Sequence, residues 1–95
     1  MARFTTNPVE IQHLQDINQQ LTTVASQNGG RVKVVLVNGL VIAGCFNGIT
    51  NDGSIGGRGG VRMYYGDATI VDDKSNPKII DKLDIIRVET RHHQS

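Results

Sequence analysis

Arg31-Val-Lys-Val-Val-Leu-Val-Asn-Gly-Leu-Val-Ile-Ala-Gly-Cys-Phe46 is the stretch that decides the fold class of this chain. Two β-rich segments flank Asn38-Gly39, the strongest short hairpin signal. Alternation places Val32, Val34 and Leu36 on one face of the first strand and Lys33, Val35 and Val37 on the other, so apolar groups stand on both sides of the sheet. Such a sheet calls for a barrel or sandwich with its outer face also covered. Gly44 lies inside the second strand, where a glycine marks a sharp bend or a bulge at which a sheet curls onto itself. The expectation is a mainly β protein built as a small closed barrel.

With 95 residues the chain makes one domain, 1–95, large enough for a modest core. Ten Lys and Arg stand against nine Asp and Glu, a balance unlike that of a strongly basic nucleic-acid or membrane binder, so any anion site is local. No apolar run approaches the roughly 20 residues that span a bilayer. The opening Met-Ala-Arg-Phe-Thr-Thr lacks the apolar core of a signal peptide, and a cytoplasmic, soluble protein is the expectation. Cys45 is the single cysteine, which excludes an intramolecular disulfide or a cysteine-rich metal site; it reads as a small apolar strand residue.

Asn7-Pro8-Val9-Glu10 is a helix start: Asn7 can accept from the first free amides, Pro8 suits the first helical position, and Glu10 falls where a capping-box acid lies. The helix is expected over about 8–26, with Ile11, Leu14, Ile17, Leu21 and Val24 stepping by three and four into one narrow apolar stripe. Gln15 reads as solvent-facing. The barrel should occupy about 31–90 and a short tail 91–95. Asn51 to Gly60, with five glycines in ten residues, reads as a flexible hairpin loop. As a phosphate cradle it lacks the Lys-Ser/Thr ending of a P-loop, and as an arginine-glycine RNA segment it offers Arg58, with Arg62 beyond it. Strands follow at 61–65 and 68–71, read as one long strand broken at Gly66-Asp67, then at 78–80 and 84–89, with Asp81-Lys82-Leu83 as a tight link.

This element order and the segment Val34-Val-Leu-Val-Asn-Gly-Leu-Val-Ile-Ala-Gly44 resemble the first sequence motif of the Sm-like family, which includes the Sm and LSm proteins and bacterial Hfq. The match centres on Leu36-Val-Asn-Gly39 with Gly44 five residues on. Ile79-Ile-Asp-Lys-Leu-Asp-Ile-Ile-Arg-Val88 is similar to the family's second motif, with Asp81-Lys82 in place of its Arg-Gly pair. The resemblance implies a five-stranded Sm-like (SH3-like) barrel with an N-terminal α-helix. It further implies a homo-oligomeric ring of about five to eight subunits, in which strand four of one copy pairs with strand five of the next and no sheet edge stays open. Ile79, Ile80, Ile85, Ile86 and Val88 would then form the oligomer interface. Single-stranded RNA is the implied partner, bound by the loop after strand two at Thr50, Asn51 and Asp52 and by the link between strands four and five. There Asn51 would meet a base edge and Lys82 a phosphate.

Other residues carry two readings each. Tyr64 could stack on a base with Arg62 beside it on the same face, or Tyr64 and Tyr65 could be one core and one interface ring. Arg87, Arg91, His92 and His93 form either a basic end that touches RNA or a metal, or a frayed tail. A structural or protein-interaction ring without RNA binding is the alternative function. It draws on the near-neutral charge, on Asp81 where Sm proteins carry Arg, and on the absence of an aromatic residue after the loop aspartate, where Hfq stacks a base. A different barrel of the SH3-like, peptide-binding kind would need more aromatic residues than four. His13 stands alone on the helix, and no nucleophile-base-acid set or metal-ligand spacing appears. Hence no enzyme, cofactor, metal, membrane or small-molecule substrate is expected.

Overall fold

The computed structural model describes residues 3–90; Arg91, His92 and His93, read above as a basic end, and the side chain of Arg58 lie outside the described residues. Asn7 caps helix α1, Pro8–Gln27, by accepting from the Val9 amide at 2.9 Å, and Pro8 fills the first turn, where a missing N–H costs nothing. Glu10 does not close the expected capping box: it accepts from the Thr5 hydroxyl, whose oxygen in turn takes the Asn7 amide at 3.0 Å. Leu14, Ile17 and Leu21 are buried along the apolar stripe, with Val24 and Ala25 packed beside them. Gly29 and Gly30, at φ +62° and +92°, then turn the chain into the sheet.

Five strands follow: β1 Arg31–Leu36, β2 Val41–Gly56, β3 Arg62–Val71, β4 Pro77–Asp81 and β5 Ile85–Glu89. All neighbours are antiparallel, in the order β4-β3-β2-β1-β5. At the β1–β2 turn Gly39 adopts φ +87° and Asn38 Oδ1 accepts from the Leu40 amide at 3.0 Å. Asn38 itself does not take a positive φ, and the Leu36 amide donates to the Leu40 carbonyl at 2.8 Å, so the hairpin closes over the three residues 37–39 rather than over a two-residue Asn-Gly turn.

The sheet is not a closed barrel. β4 and β5 are its two edges, and no ladder joins them among the described residues. A flat sheet would hold those edges about 19 Å apart, four strand spacings. The 3₁₀ turn Lys82–Asp84 joins them through a link that reaches about 14 Å at full extension, so the sheet must curl strongly even though it leaves one pairing open. Asp81 tightens that turn by accepting from the Leu83 amide at 2.9 Å.

β2 is longer than the glycine pattern suggests. Asp52, Gly53, Ser54, Ile55 and Gly56 all pair with β3, and the expected loop from Asn51 to Gly60 shrinks to the 3₁₀ turn Arg58–Gly60 and its flanks. Cross-strand cover explains why glycine is tolerated here: a Cβ on Gly53 would sit 2.6 Å from the phenol oxygen of Tyr65, its partner in register. β3 likewise runs through Gly66-Asp67 without a break. The bend in β2 falls not at Gly44 but between Phe46 and Thr50, where four steps of β2 face two of β3 and Gly48 takes φ +81°. Gly44 instead allows close approach, because a Cβ there would overlap the Val71 carbonyl oxygen.

The core joins Ile17 and Leu21 of α1 to Val32, Val34, Leu36, Phe46, Ala68, Ile70, Ile80, Ile85 and Val88. Three residues expected at an oligomer interface, Ile80, Ile85 and Val88, are therefore core side chains; Ile79 and Ile86 point outward, 67% and 46% exposed. The chain's own sheet turns alternate residues inward, and that alternation separates the five. Helix α1 also grips β5 by polar contacts: His13 Nε2 donates to the Ile85 carbonyl, and Gln20 Oε1 accepts from the Val88 amide at 2.9 Å.

Candidate functional site

Beyond the core, the inner face of the β2–β3 hairpin continues under α1. Thr50 pairs with Ala68, so alternation puts Thr50, Asp52 and Ser54 of β2 on the core side together with Arg62, Tyr64 and Gly66 of β3. The first half of α1 faces this extension with Ile11, Leu14, Gln15 and Asn18, and a cleft of about 300 Å³ remains between them. Its lining is mostly apolar, with amide, carboxylate, hydroxyl and phenol groups among the lining residues. Arg62, outside the lining itself, donates to the Oγ of Ser54, one of the lining residues, at 3.1 Å.

Lys82 enters the base of this region from the 3₁₀ turn and is fully buried. Its Nζ lies 2.7 and 2.6 Å from the two Asp52 carboxylate oxygens and 3.2 Å from Asn18 Oδ1. An ammonium removed from water is costly unless its donors are used, and here three acceptors match its three N–H groups. Asp52 is not buried to the same degree; its side chain is 39% exposed. Gly66 makes the arrangement fit, because a Cβ there would stand 2.7 Å from Asp52 Oδ1.

Of the predicted RNA contacts the structure brings Asp52 and Tyr64 to the cleft, with Lys82 buried behind Asp52 and Arg62 bonded to Ser54, and it separates the others from it. Asn51 pairs with Asp67 on the opposite face of the hairpin, Thr50 is half-buried next to the core, and Arg58 lies in the distal 3₁₀ turn. Lys82, expected to meet a phosphate, has its charge satisfied inside the chain. Asp81 is similarly engaged, accepting from the Arg3 amide at 2.8 Å, while the Arg3 guanidinium reaches Asp84 at 2.9 Å. The two tyrosines diverge: Tyr64 holds Thr5 through both backbone hydrogen bonds, and the Tyr65 ring packs on Phe4 with centroids 5.0 Å apart. Away from the cleft, the Asn76 amide holds the Asp72 carboxyl below its ordinary range, and the Arg87 guanidinium does the same for Glu89.

Asn18 and Ser54 were not singled out by the sequence pattern, and Gln15, read as solvent-facing, is exposed and lines the cleft. Asn18 lies four residues after Leu14, so the apolar stripe carries a polar residue where the helix leaves the core; that was the available signal. Nothing in the sequence alone placed Ser54 opposite Tyr64.

No family model and no curated protein matches this chain. Among solved structures, the crystal structure of XC5848 from Xanthomonas campestris, described as adopting a novel variant of the Sm-like motif, matches it with a TM-score of 0.68. The match covers 97% of this chain and 96% of that one, at 19% identity. The fold is therefore Sm-like, in keeping with the resemblance carried by Leu36 to Gly44. No helix among the described residues is long and apolar enough to cross a membrane.

Proposed function

We propose that the chain is the subunit of a cytoplasmic, homo-oligomeric Sm-like ring that binds single-stranded RNA and has a binding rather than a catalytic role. The observation that carries the reading is the helix–hairpin cleft. It combines an aromatic wall with neutral amides and one carboxylate, the groups that read an unstacked base, and a cation, Arg62, is bonded to its lining residue Ser54. Ring assembly draws support from the two open sheet edges and from outward-facing Ile79 on β4 and Ile86 on β5, since unpaired apolar edges favour pairing with another copy. At Val88 the partner strand would take over the amide that Gln20 now holds.

One observation favours a second reading, a scaffold ring that has no RNA partner: Lys82, the basic residue nearest the cleft, is neutralised by Asp52. Light scattering combined with fluorescence-anisotropy titration of short oligonucleotides at two salt concentrations separates the two. An oligomer whose RNA affinity falls as salt rises supports the first reading. An oligomer that ignores RNA at both concentrations overturns it in favour of the scaffold.

A further inference from the structure

We infer that Gln20 of α1 occupies the edge of β5 in the free protomer and must release it before β4 of a second copy can pair there, an inference that rests on the ring reading above. β5 has no strand on its outer side, yet that side is not bare. The His13 ring donates to the Ile85 carbonyl, and the Gln20 carboxamide oxygen holds the Val88 amide at 2.9 Å. Both backbone groups belong to the outward row. Ile85 and Val88 stand opposite Leu36 and Val34 of β1, and the Leu36 amide turns to the Leu40 carbonyl on the β2 side, at 2.8 Å. Residues opposite that row turn their own groups away from β1, toward the open side.

The spacing of the two contacts matches. From His13 to Gln20 the helix rises about 10.5 Å, and from Ile85 to Val88 the strand runs about 10 Å. Helix α1 therefore lies alongside the edge, and a helix so placed is one of the ways in which proteins keep an edge from pairing. The two contacts differ in what they forbid. A carbonyl oxygen has two lone pairs, so Ile85 can keep His13 and still accept from a partner strand. The Val88 amide has one hydrogen, for which Gln20 and a partner strand compete outright. Gln20 thus sets how readily copies associate, while His13 keeps the helix aligned with the strand.

The strand that displaces Gln20 is β4 of a second copy. It has five residues, Pro77–Asp81, as β5 has in Ile85–Glu89, and its centre stands open, with Ile79 67% exposed. Each copy carries an open edge at β4 and a covered one at β5, so pairing waits for the Gln20 side chain to swing aside.

The test uses the full chain, the variant Gln20→Met, and Gln19→Met as a control on the adjacent, exposed helix position. Methionine keeps the length and helix propensity of glutamine but offers Val88 only a weak acceptor. Association is followed by light scattering and by sedimentation of fluorescently labelled protein over a dilution series. Gln20→Met should assemble at a concentration about fivefold lower than the unaltered chain, the order that one neutral hydrogen bond provides, because the free protomer alone loses a partner for its amide. Gln19→Met should match the unaltered chain within about twofold. Hydrogen exchange at Val88, read by amide NMR below the assembly concentration, should find the amide protected in the unaltered chain and about fivefold less protected in Gln20→Met.

Assembly of Gln20→Met at the same or a higher concentration overturns the inference and leaves the ring reading standing. An equal shift in Gln19→Met also overturns it, because the effect then belongs to the helix in general. So does a Val88 amide that exchanges in the dilute, unaltered chain as fast as an open edge amide, a result that needs no variant to fold. If neither the unaltered chain nor Gln20→Met associates at any concentration, the ring reading itself falls, and the inference with it.

Discussion

Asp52→Asn should destabilise this protein far more than Lys82→Met, although both break the same ion pair. Lys82 is fully buried, so without the Asp52 charge its ammonium remains in the interior with only neutral acceptors. Removing one partner of a fully buried pair costs about 3–5 kcal/mol. Asp52 is 39% exposed and Asn keeps one acceptor oxygen, so solvent and the remaining hydrogen bond reduce that to about 2–3 kcal/mol here. Lys82→Met fills the space of the lysine stem, and the carboxylate it leaves behind can turn to water, so the expected change is within about 1 kcal/mol of zero. In a domain of this size about 1 kcal/mol moves Tm by roughly 4–8 °C, which separates the two variants clearly. Urea unfolding followed by circular dichroism, at one fixed protomer concentration so that self-association does not enter, gives the free energies. The double variant should behave like Lys82→Met alone. If Lys82→Met costs as much as Asp52→Asn, the ammonium is not buried in the way argued and the reasoning fails.

Gly44→Ala should cost about 2–3 kcal/mol, because the new Cβ meets the Val71 backbone. Gly53→Ala meets only the swinging end of Tyr65 and should cost clearly less; equal losses in parallel melts would contradict that distinction. Ile79→Lys, on the exposed edge of β4, should lower the mass measured by light scattering without lowering the stability of the monomer. Ile85→Ala should lose about 2–5 kcal/mol by opening a cavity in the core. Asp72 and Glu89 titrate below 3.8 and 4.5 when folded, owing chiefly to the Asn76 amide and the Arg87 side chain. Their stabilisation is thus present above those values and lost as pH falls through the folded ones. In Arg87→Ala, carboxyl NMR should find Glu89 titrating closer to 4.5, and an unchanged titration would remove Arg87 as the cause.

The helix and the first hairpin were legible because their signals are local: Asn7-Pro8 sets a cap, three-and-four stepping sets a face, and Asn38-Gly39 sets a turn. The length of β2 was not, since Asn51 to Gly56 carry loop-like residues whose strand conformation is supplied by Tyr64, Tyr65 and the rest of β3 across the ladder. The bend at Gly48 rather than Gly44 belongs to the same class, because only the paired strand reveals which glycine meets a neighbouring backbone. At the candidate site, the family resemblance marked Asp52 and Lys82, and residue type with strand alternation marked Arg62 and Tyr64. Neither could reveal that Asp52 and Lys82, 30 positions apart, neutralise each other, nor that Asn18 completes the set from the helix.

β5, the last strand, lies beside β1, and it is also the strand to which His13 and Gln20 of α1 are fastened. A nascent chain can coil α1 early, but the strand that the helix grips emerges only after β1 to β4 have been made. Until then the apolar stripe of Leu14, Ile17 and Leu21 has an unfinished surface to rest on. Synthesis order thus makes β5 the fastener of α1, and an arrest of translation before Ile85 would leave the helix's apolar stripe without the cover of Ile85 and Val88.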